Sequence, residues 1–147
     1  MNRFFSTVFI IIVVTFGYPA WAGDEEDVAV AANTWIETIG MADPDAMVTL
    51  YDEAAILHGT TSPVLRQGPE AIREYFAGAA EVPGLKMQFT ESHIRIYGDT
   101  AVNTGFYSVS FPEEGKLRTI PLRYSFVYRK RGNKWMIVDH HSSLIPE

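Results

Sequence analysis

The sequence predicts an α+β fold in which helices come first and an antiparallel sheet follows. Three observations carry that reading. Apolar residues recur at helical spacing in the first half of the chain, at Val28, Ala31, Ala32, Trp35, Ile36 and Ile39, then at Ile72, Tyr75, Phe76 and Ala79. Past Pro83-Gly84 the apolar period changes to that of a half-buried strand. Glycine-bearing turns at Gly98-Asp99, Glu113-Glu114-Gly115 and Gly132-Asn133 then divide the second half into hairpins. Helices followed by a run of hairpins is an α+β arrangement. No internal repeat, low-complexity tract or second domain interrupts it.

Each element has a local cause. Asp24 to Asp27 places carboxylates where the positive end of a first helix favours them, and Gly40 ends that helix. Asp43-Pro44 pairs a capping residue with a proline at the first helical position, so a second helix starts there. It is expected to carry Met47, Leu50 and Tyr51 inward and to end near Asp52. Ala54 to His58 reads as a short strand, and Thr60 to Gln67 as a loop with a brief extended piece. Gly68-Pro69-Glu70 opens a third helix. Leu85, Met87 and Phe89 alternate with polar neighbours, and the alternation loses phase around Glu91 to Ile94, which implies a bulge or sharp bend. Val102 to Phe111, Leu117 to Lys130 and Trp135 to Leu144 complete the strands.

The last hairpin fixes a register if Gly132-Asn133 is a two-residue loop. Arg131 then faces Lys134, Tyr128 faces Ile137, Phe126 faces Asp139, and Tyr124 faces His141. One face carries Leu122, Tyr124, Phe126, Tyr128, Trp135, Ile137, Asp139 and His141, an aromatic wall with two ionisable groups set into it. The opposite face carries Arg123, Ser125, Val127, Arg129, Met136, Val138, His140 and Ser142.

The chain starts with Arg3, an uncharged run from Phe4 to Phe16, and Ala20-Trp21-Ala22. A positive start, an apolar middle too short to span a bilayer and a small-x-small end make a secretory signal peptide over residues 1–22, leaving 23–147 as the mature domain. The expected location is periplasmic or extracellular, with no membrane association after cleavage. The full sequence has a formal charge of −6, and losing Arg3 makes the mature chain one unit more negative, which argues against nucleic acid as a partner. Cysteine is absent, so disulfides and thiolate metal sites do not arise. A disulfide-free domain relies on packing, and the 13% aromatic content supplies bulk for it.

Several segments resemble the association domain of calcium/calmodulin-dependent protein kinase II. They are Gly115-Lys116-Leu117-Arg118-Thr119, and an ending in which Trp135, Val138, His141, Ser143 and Pro146 keep a fixed spacing. Upstream, Gly68 leads into Arg73-Glu74-Tyr75-Phe76, and Ser92-His93-Ile94 precedes Gly98-Asp99-Thr100-Ala101. That family lies in the nuclear transport factor 2-like superfamily, with ketosteroid isomerases, scytalone dehydratases and SnoaL-like cyclases. The resemblance implies a strongly curved sheet wrapped by the three helices into a cone with a deep pocket. It also implies self-association through the outer sheet face, as a homodimer or a larger ring. The kinase's pocket is lined by arginines. Arg73 and Arg118 match two of them, while Tyr107 stands where a third is expected, which weakens the case for an anion-selective pocket.

Two functions follow as expectations. One is an exported, self-associating domain that binds a small molecule and has no kinase activity, with Arg73, Tyr107, Arg118 and Tyr124 as ligand-binding candidates. The other is a cofactor-independent isomerase, dehydratase or cyclase. There, Asp139 and His141, two apart on one strand face, would act as general base and proton shuttle. In the bland alternative Asp139 accepts from a tyrosine and His141 bonds backbone. Trp35 reads as core, and His58 and His93 as structural or exposed. On a regular strand His140 points opposite to His141, so the pair cannot chelate a metal. No metal spacing, nucleophile elbow, phosphate loop or dinucleotide fingerprint is present, so no cofactor is expected.

Overall fold

The structure, a computed structural model, describes residues 20–146. The leader expected over residues 1–22 lies outside them, except for the backbone of residues 20–22. The element order is α1 (Ala20–Gly40), α2 (Pro44–Val48), β1 (Tyr51–His58), β2 (Arg66–Gln67), α3 (Gly68–Ala80), β3 (Lys86–Tyr97), β4 (Thr100–Glu113), β5 (Lys116–Arg131) and β6 (Lys134–Leu144). The strands form one six-stranded, curved and unclosed sheet in the order β2-β1-β6-β5-β4-β3. Every pairing is antiparallel except β1 with β6, which run parallel. Among the described residues, no helix is long and apolar enough to cross a membrane.

The helices follow their sequence signals, with two shifts. α1 begins at Ala20, one turn before the acidic residues, and Asp24 is paired with Lys130 on β5. α2 starts at Pro44 under an Asp43 cap, whose Oδ1 accepts from the backbone N–H groups of Asp45 and Ala46 at 3.0 Å each. It stops at Val48 rather than near Asp52, because Leu50 and Tyr51 are taken by the sheet. The carbonyl of Leu50 accepts from the N–H of Ile137 at 3.0 Å, and Tyr51 pairs with Ile137. α3 buries Ile72 and Phe76.

The hairpins close through two-residue turns at Gly98-Asp99, Glu114-Gly115 and Gly132-Asn133. Gly98 and Gly132 have φ of 65° and 62°, a left-handed conformation that glycine adopts without a Cβ penalty. The expected break in β3 is a one-residue bulge. Phe89 faces Tyr107 but Glu91 faces Phe106, leaving Thr90 over. The bulge carries the β3 backbone over Gly105, where a Cβ would lie 2.1 Å from the carbonyl oxygen of Glu91.

The core lies between α1, α3 and the concave face of the sheet. Trp35 is its centre, 1% exposed, packed edge-on to Phe126 at 5.3 Å and stacked near Tyr107 at 6.1 Å. Each such pair contributes about 0.5–1.5 kcal/mol beyond area burial. Four of the six cations of β5 are locally neutralised: Arg118 by Glu113, Arg129 by Asp99, Lys130 by Asp24 and Arg131 by Asp52.

Candidate functional site

The curved sheet and helices enclose a cavity of about 650 Å³ between the inner faces of β3–β6, α1 and α3, with the β1–β2 loop at its side. Its walls are apolar, built by Met87, Val109, Ile120 and Leu122 from the sheet and by Ile39 and Phe76 from the helices. Strand periodicity causes this arrangement. Val109, Ile120 and Leu122 hold inward positions on adjoining strands, with Val109 directly opposite Ile120. At the mouth, Arg66 and Glu74 form an ion pair at 2.9 Å, with Glu74 73% exposed.

Polar groups gather at the floor. Tyr107 Oη donates to Ser142 Oγ at 2.5 Å, and Ser142 also bonds the Thr60 hydroxyl. Beside them His140 is 2% exposed, with its Nδ1 2.8 Å from Tyr51 Oη. The Tyr51 hydroxyl in turn accepts from Trp35 Nε1–H at 2.9 Å. His140 Nε2 is buried and has no hydrogen-bond partner among the described residues. Burial, with a smaller effect of neighbouring His141, lowers the His140 pKa to about 3. Burial likewise raises the Tyr107 hydroxyl well above the ordinary phenol range. The floor is therefore a set of neutral, hydrogen-bonding groups at physiological pH.

The expected inward pair Asp139 and His141 is not at this floor. The register of β5 and β6 matches the sequence reading from Arg131–Lys134 to Tyr128–Ile137 and then slips: Val127 faces Asp139, Phe126 faces His140, and Tyr124 faces Ser142. One extra residue, Val138, is accommodated in β6. Because strand faces alternate, that single residue moves His140 and Ser142 inward and turns Asp139 and His141 to the outer face. Polar burial gives a physical reason. The regular register would set an ionised carboxylate against the fully buried Phe126 ring, at a large desolvation cost. The bulge places a neutral imidazole there instead, 4.2 Å from that ring. His141 is exposed, and its ring lies 6.0 Å from that of His58 across the parallel β1–β6 pair.

Of the ligand-binding candidates, the structure brings only Tyr107 to the cavity. Tyr124 lies one layer behind, stacked on Tyr107 at 5.0 Å, with its hydroxyl donating to Asn103 Oδ1 at 3.0 Å. Arg73 is on the exposed side of α3, where Ile72 and Phe76 hold the inward positions, and it pairs with Asp45 at 2.5 Å. Arg118 is two residues before Ile120 on β5, at the hairpin end, where it is exposed and bound to Glu113 at 2.8 Å. The floor residues His140, Ser142 and Thr60 were not among the expected site residues. A usable signal was the buried carboxylate that the regular register demanded. Among the described residues, no group of three or more His, Asp or Glu side chains is placed to hold a metal ion.

The curved, unclosed six-stranded sheet with its N-terminal helices is the α+β fold of NTF2-like proteins with a cystatin-like fold. The pattern of the SnoaL-like domain matches residues 28–147, and the chain belongs to that family. A Xanthomonas campestris structure, provisionally assigned as a calcium/calmodulin dependent protein kinase II association domain, is similar with a TM-score of 0.79 and 29% identity over 94% of this chain and 99% of that one. A provisionally assigned dehydratase of the NTF2-like family from Streptomyces avermitilis matches with a TM-score of 0.77 and 18% identity over 86% and 99% of the two chains. The Chlamydomonas reinhardtii CaMKII hub homology domain matches at 0.71 and 18% over 82% and 98%. No curated protein matches the chain in sequence.

Proposed function

We propose that this chain is an exported, self-associating small-molecule-binding domain without kinase activity, which holds a neutral, largely apolar molecule in its cavity. The observation that carries the binding reading is the cavity itself, about 650 Å³ of apolar wall over a floor whose buried titratable groups are kept uncharged. General-base chemistry at neutral pH calls for a group poised near that pH. Asp139 faces away from the cavity, Glu74 is held by Arg66 at the mouth, and His140 is displaced far from neutrality. Binding therefore fits the floor better than proton abstraction does, which ranks the isomerase, dehydratase or cyclase reading second.

Self-association draws support from the Xanthomonas relative's assignment and from the outer sheet face. Arg123, Ser125, Val127 and Arg129 on β5 line up there beside Phe106 and Thr104 on β4, and Phe106 remains 38% exposed. A homodimer through this face is the expected assembly, since a self-complementary patch closes with two copies. Export is supported by the leader pattern at the start of the sequence.

Native mass spectrometry of the protein recovered from its exported form tests these claims together. The expected result is a dimer that begins at Gly23 and carries a reproducible extra mass. Val127→Glu should give monomer that still carries the extra mass. A monomer for the unaltered protein rules out self-association, an intact residue 1–22 segment rules out leader removal, and turnover of an identified ligand moves the function to the enzyme reading.

A further inference from the structure

The bulge that turns His140 inward turns its neighbour His141 to the outer face of the sheet, where the fold sets it beside a second histidine. His58, the last residue of β1, is the direct partner of His141 in the parallel β1–β6 ladder. Paired residues of neighbouring strands project from the same face, with the strands about 4.8 Å apart. The two rings accordingly lie with their centres 6.0 Å apart, and both residues are exposed. The other two of the four histidines are engaged, His140 with Tyr51 and His93 with Glu91 at 2.6 Å. His58 and His141 have no hydrogen-bond or ion-pair partner among the described residues. They lie some eighty residues apart in the chain, so no spacing motif announces them.

Two imidazoles bound to one ion, each nitrogen about 2.0–2.1 Å from it, hold their ring centres roughly 4.5–6 Å apart. The observed separation is at the outer end of that range, and small rotations about the side-chain bonds of two exposed rings close it without moving the backbone. We infer that His58 and His141 form an open, two-imidazole site for a divalent transition-metal ion on the outer sheet face, with water in the remaining positions. Imidazole donors select copper, nickel or zinc over calcium and magnesium, which take oxygen ligands. Asp139, two residues before His141 on the same face, adds a negative charge at about 7 Å, too far to ligate but favourable to a cation. Arg123, opposite Ser143 across the β5–β6 pair, is drawn aside by that hydroxyl at 2.9 Å. The ion ties β1 to β6. On its other edge β1 is held only by the two residues of β2. The site lies outside the cavity and stands apart from the reading of what the cavity holds.

The test uses untagged protein and Cu2+, the ion that nitrogen sites hold most tightly in the first-row divalent series. Calorimetry measures its affinity for the protein and for His58→Gln, His141→Gln and His93→Gln, and electron paramagnetic resonance counts the nitrogen donors. Val127→Glu is measured alongside, so that a second copy on the outer face cannot mask the site. The expected result is one ion per chain, bound by two imidazole nitrogens. His58→Gln and His141→Gln should each weaken binding more than about tenfold, because the second donor acts at a high effective concentration, while His93→Gln leaves it within about twofold. Bound Cu2+ should also raise the urea midpoint of the protein but not that of His58→Gln. No binding in either the protein or Val127→Glu, or an affinity unchanged by His58→Gln and His141→Gln, overturns the site. A midpoint that bound Cu2+ leaves unmoved overturns the tie between β1 and β6.

Discussion

Acidification from about pH 7.5 to about pH 5 isolates one residue. His140 is neutral in the folded protein down to a pKa of about 3, against an ordinary value of 6.5, because burial disfavours its charged form. Below about pH 6.5 the unfolded chain therefore binds a proton that the folded chain refuses. Stability falls as pH falls, with a limiting slope of about 1.4 kcal/mol per pH unit. Integrated to pH 5, the loss is about 2 kcal/mol, a large share of the roughly 5–15 kcal/mol that stabilises an ordinary domain. The contribution is present in full above pH 6.5 and declines throughout the range down to about 3.

Asp45 and Asp52 work in a separate window. A hydrogen bond from Arg73 lowers Asp45, and the Ala54 backbone N–H followed by Arg131 lowers Asp52, both from 3.8. Their stabilising effect is present above that value and lost as pH falls through their folded pKa values, so it leaves pH 5 almost untouched. Urea unfolding at pH 7.5 and pH 5, for the protein and for His140→Gln, gives the assay. Glutamine does not titrate, and its carbonyl can still accept from Tyr51, so the comparison cancels every other histidine. The expected difference is a pH-dependent loss smaller by about 2 kcal/mol in the variant. Equal losses in the two proteins refute the buried, neutral state of His140.

Three further outcomes follow from packing and capping. Gly105→Ala should lower stability by about 2–4 kcal/mol in urea unfolding, because its Cβ would meet the Glu91 carbonyl at 2.1 Å and backbone cannot swing aside. Asp43→Ala removes the acceptor for two N–H groups at the start of α2 and should cost about 1 kcal/mol by the same measurement. Asp139→Asn combined with His141→Ala should leave the extra mass seen by native mass spectrometry in place, since both side chains lie on the outer face. Loss of that mass in the double variant would return them to the pocket.

What could be read from the sequence depended on the range of the interaction that fixes each feature. The cap at Asp43, the start of α3 at Gly68, the glycine turns and the β3 bulge are set by residues a few positions apart, and each stands at or next to the place where local chemistry put it. The aromatic wall of Leu122, Tyr124, Phe126, Tyr128, Trp135 and Ile137 is likewise buried as alternation requires. The parallel pairing of β1 with β6 joins segments some eighty residues apart and left no local trace. Arg73 and Arg118 came forward as cavity candidates from a match of residue type alone, although the sequence also allowed a surface Arg73 paired with Glu70 or Asp45. Asp45 and Glu113 hold them outside.

The chemistry of the cavity turns on Val138. With Val138 paired in a regular ladder, β6 would present Asp139 and His141 to the aromatic wall, a pair suited to moving protons. With Val138 bulged out of the ladder, the strand presents His140 and Ser142, and the carboxylate goes to the outer face. The same slip explains why the Trp35–Tyr51 pair matters, since only an inward His140 can meet the Tyr51 hydroxyl. A domain of this fold can thus change from a proton-transferring floor to a hydrogen-bonding one by a single-residue shift in one strand, with the rest of the sheet left in place. Deleting Val138 should therefore remove the bulge and leave both flanks paired as they are, with Asp139 opposite Val127 and His140 opposite Phe126. The deletion protein, if it folds, should keep the loss of stability on acidification that the inward His140 produces. A deletion protein that no longer loses stability between about pH 7.5 and about pH 5 would show that the bulge itself, and not the register on either side of it, holds His140 inward.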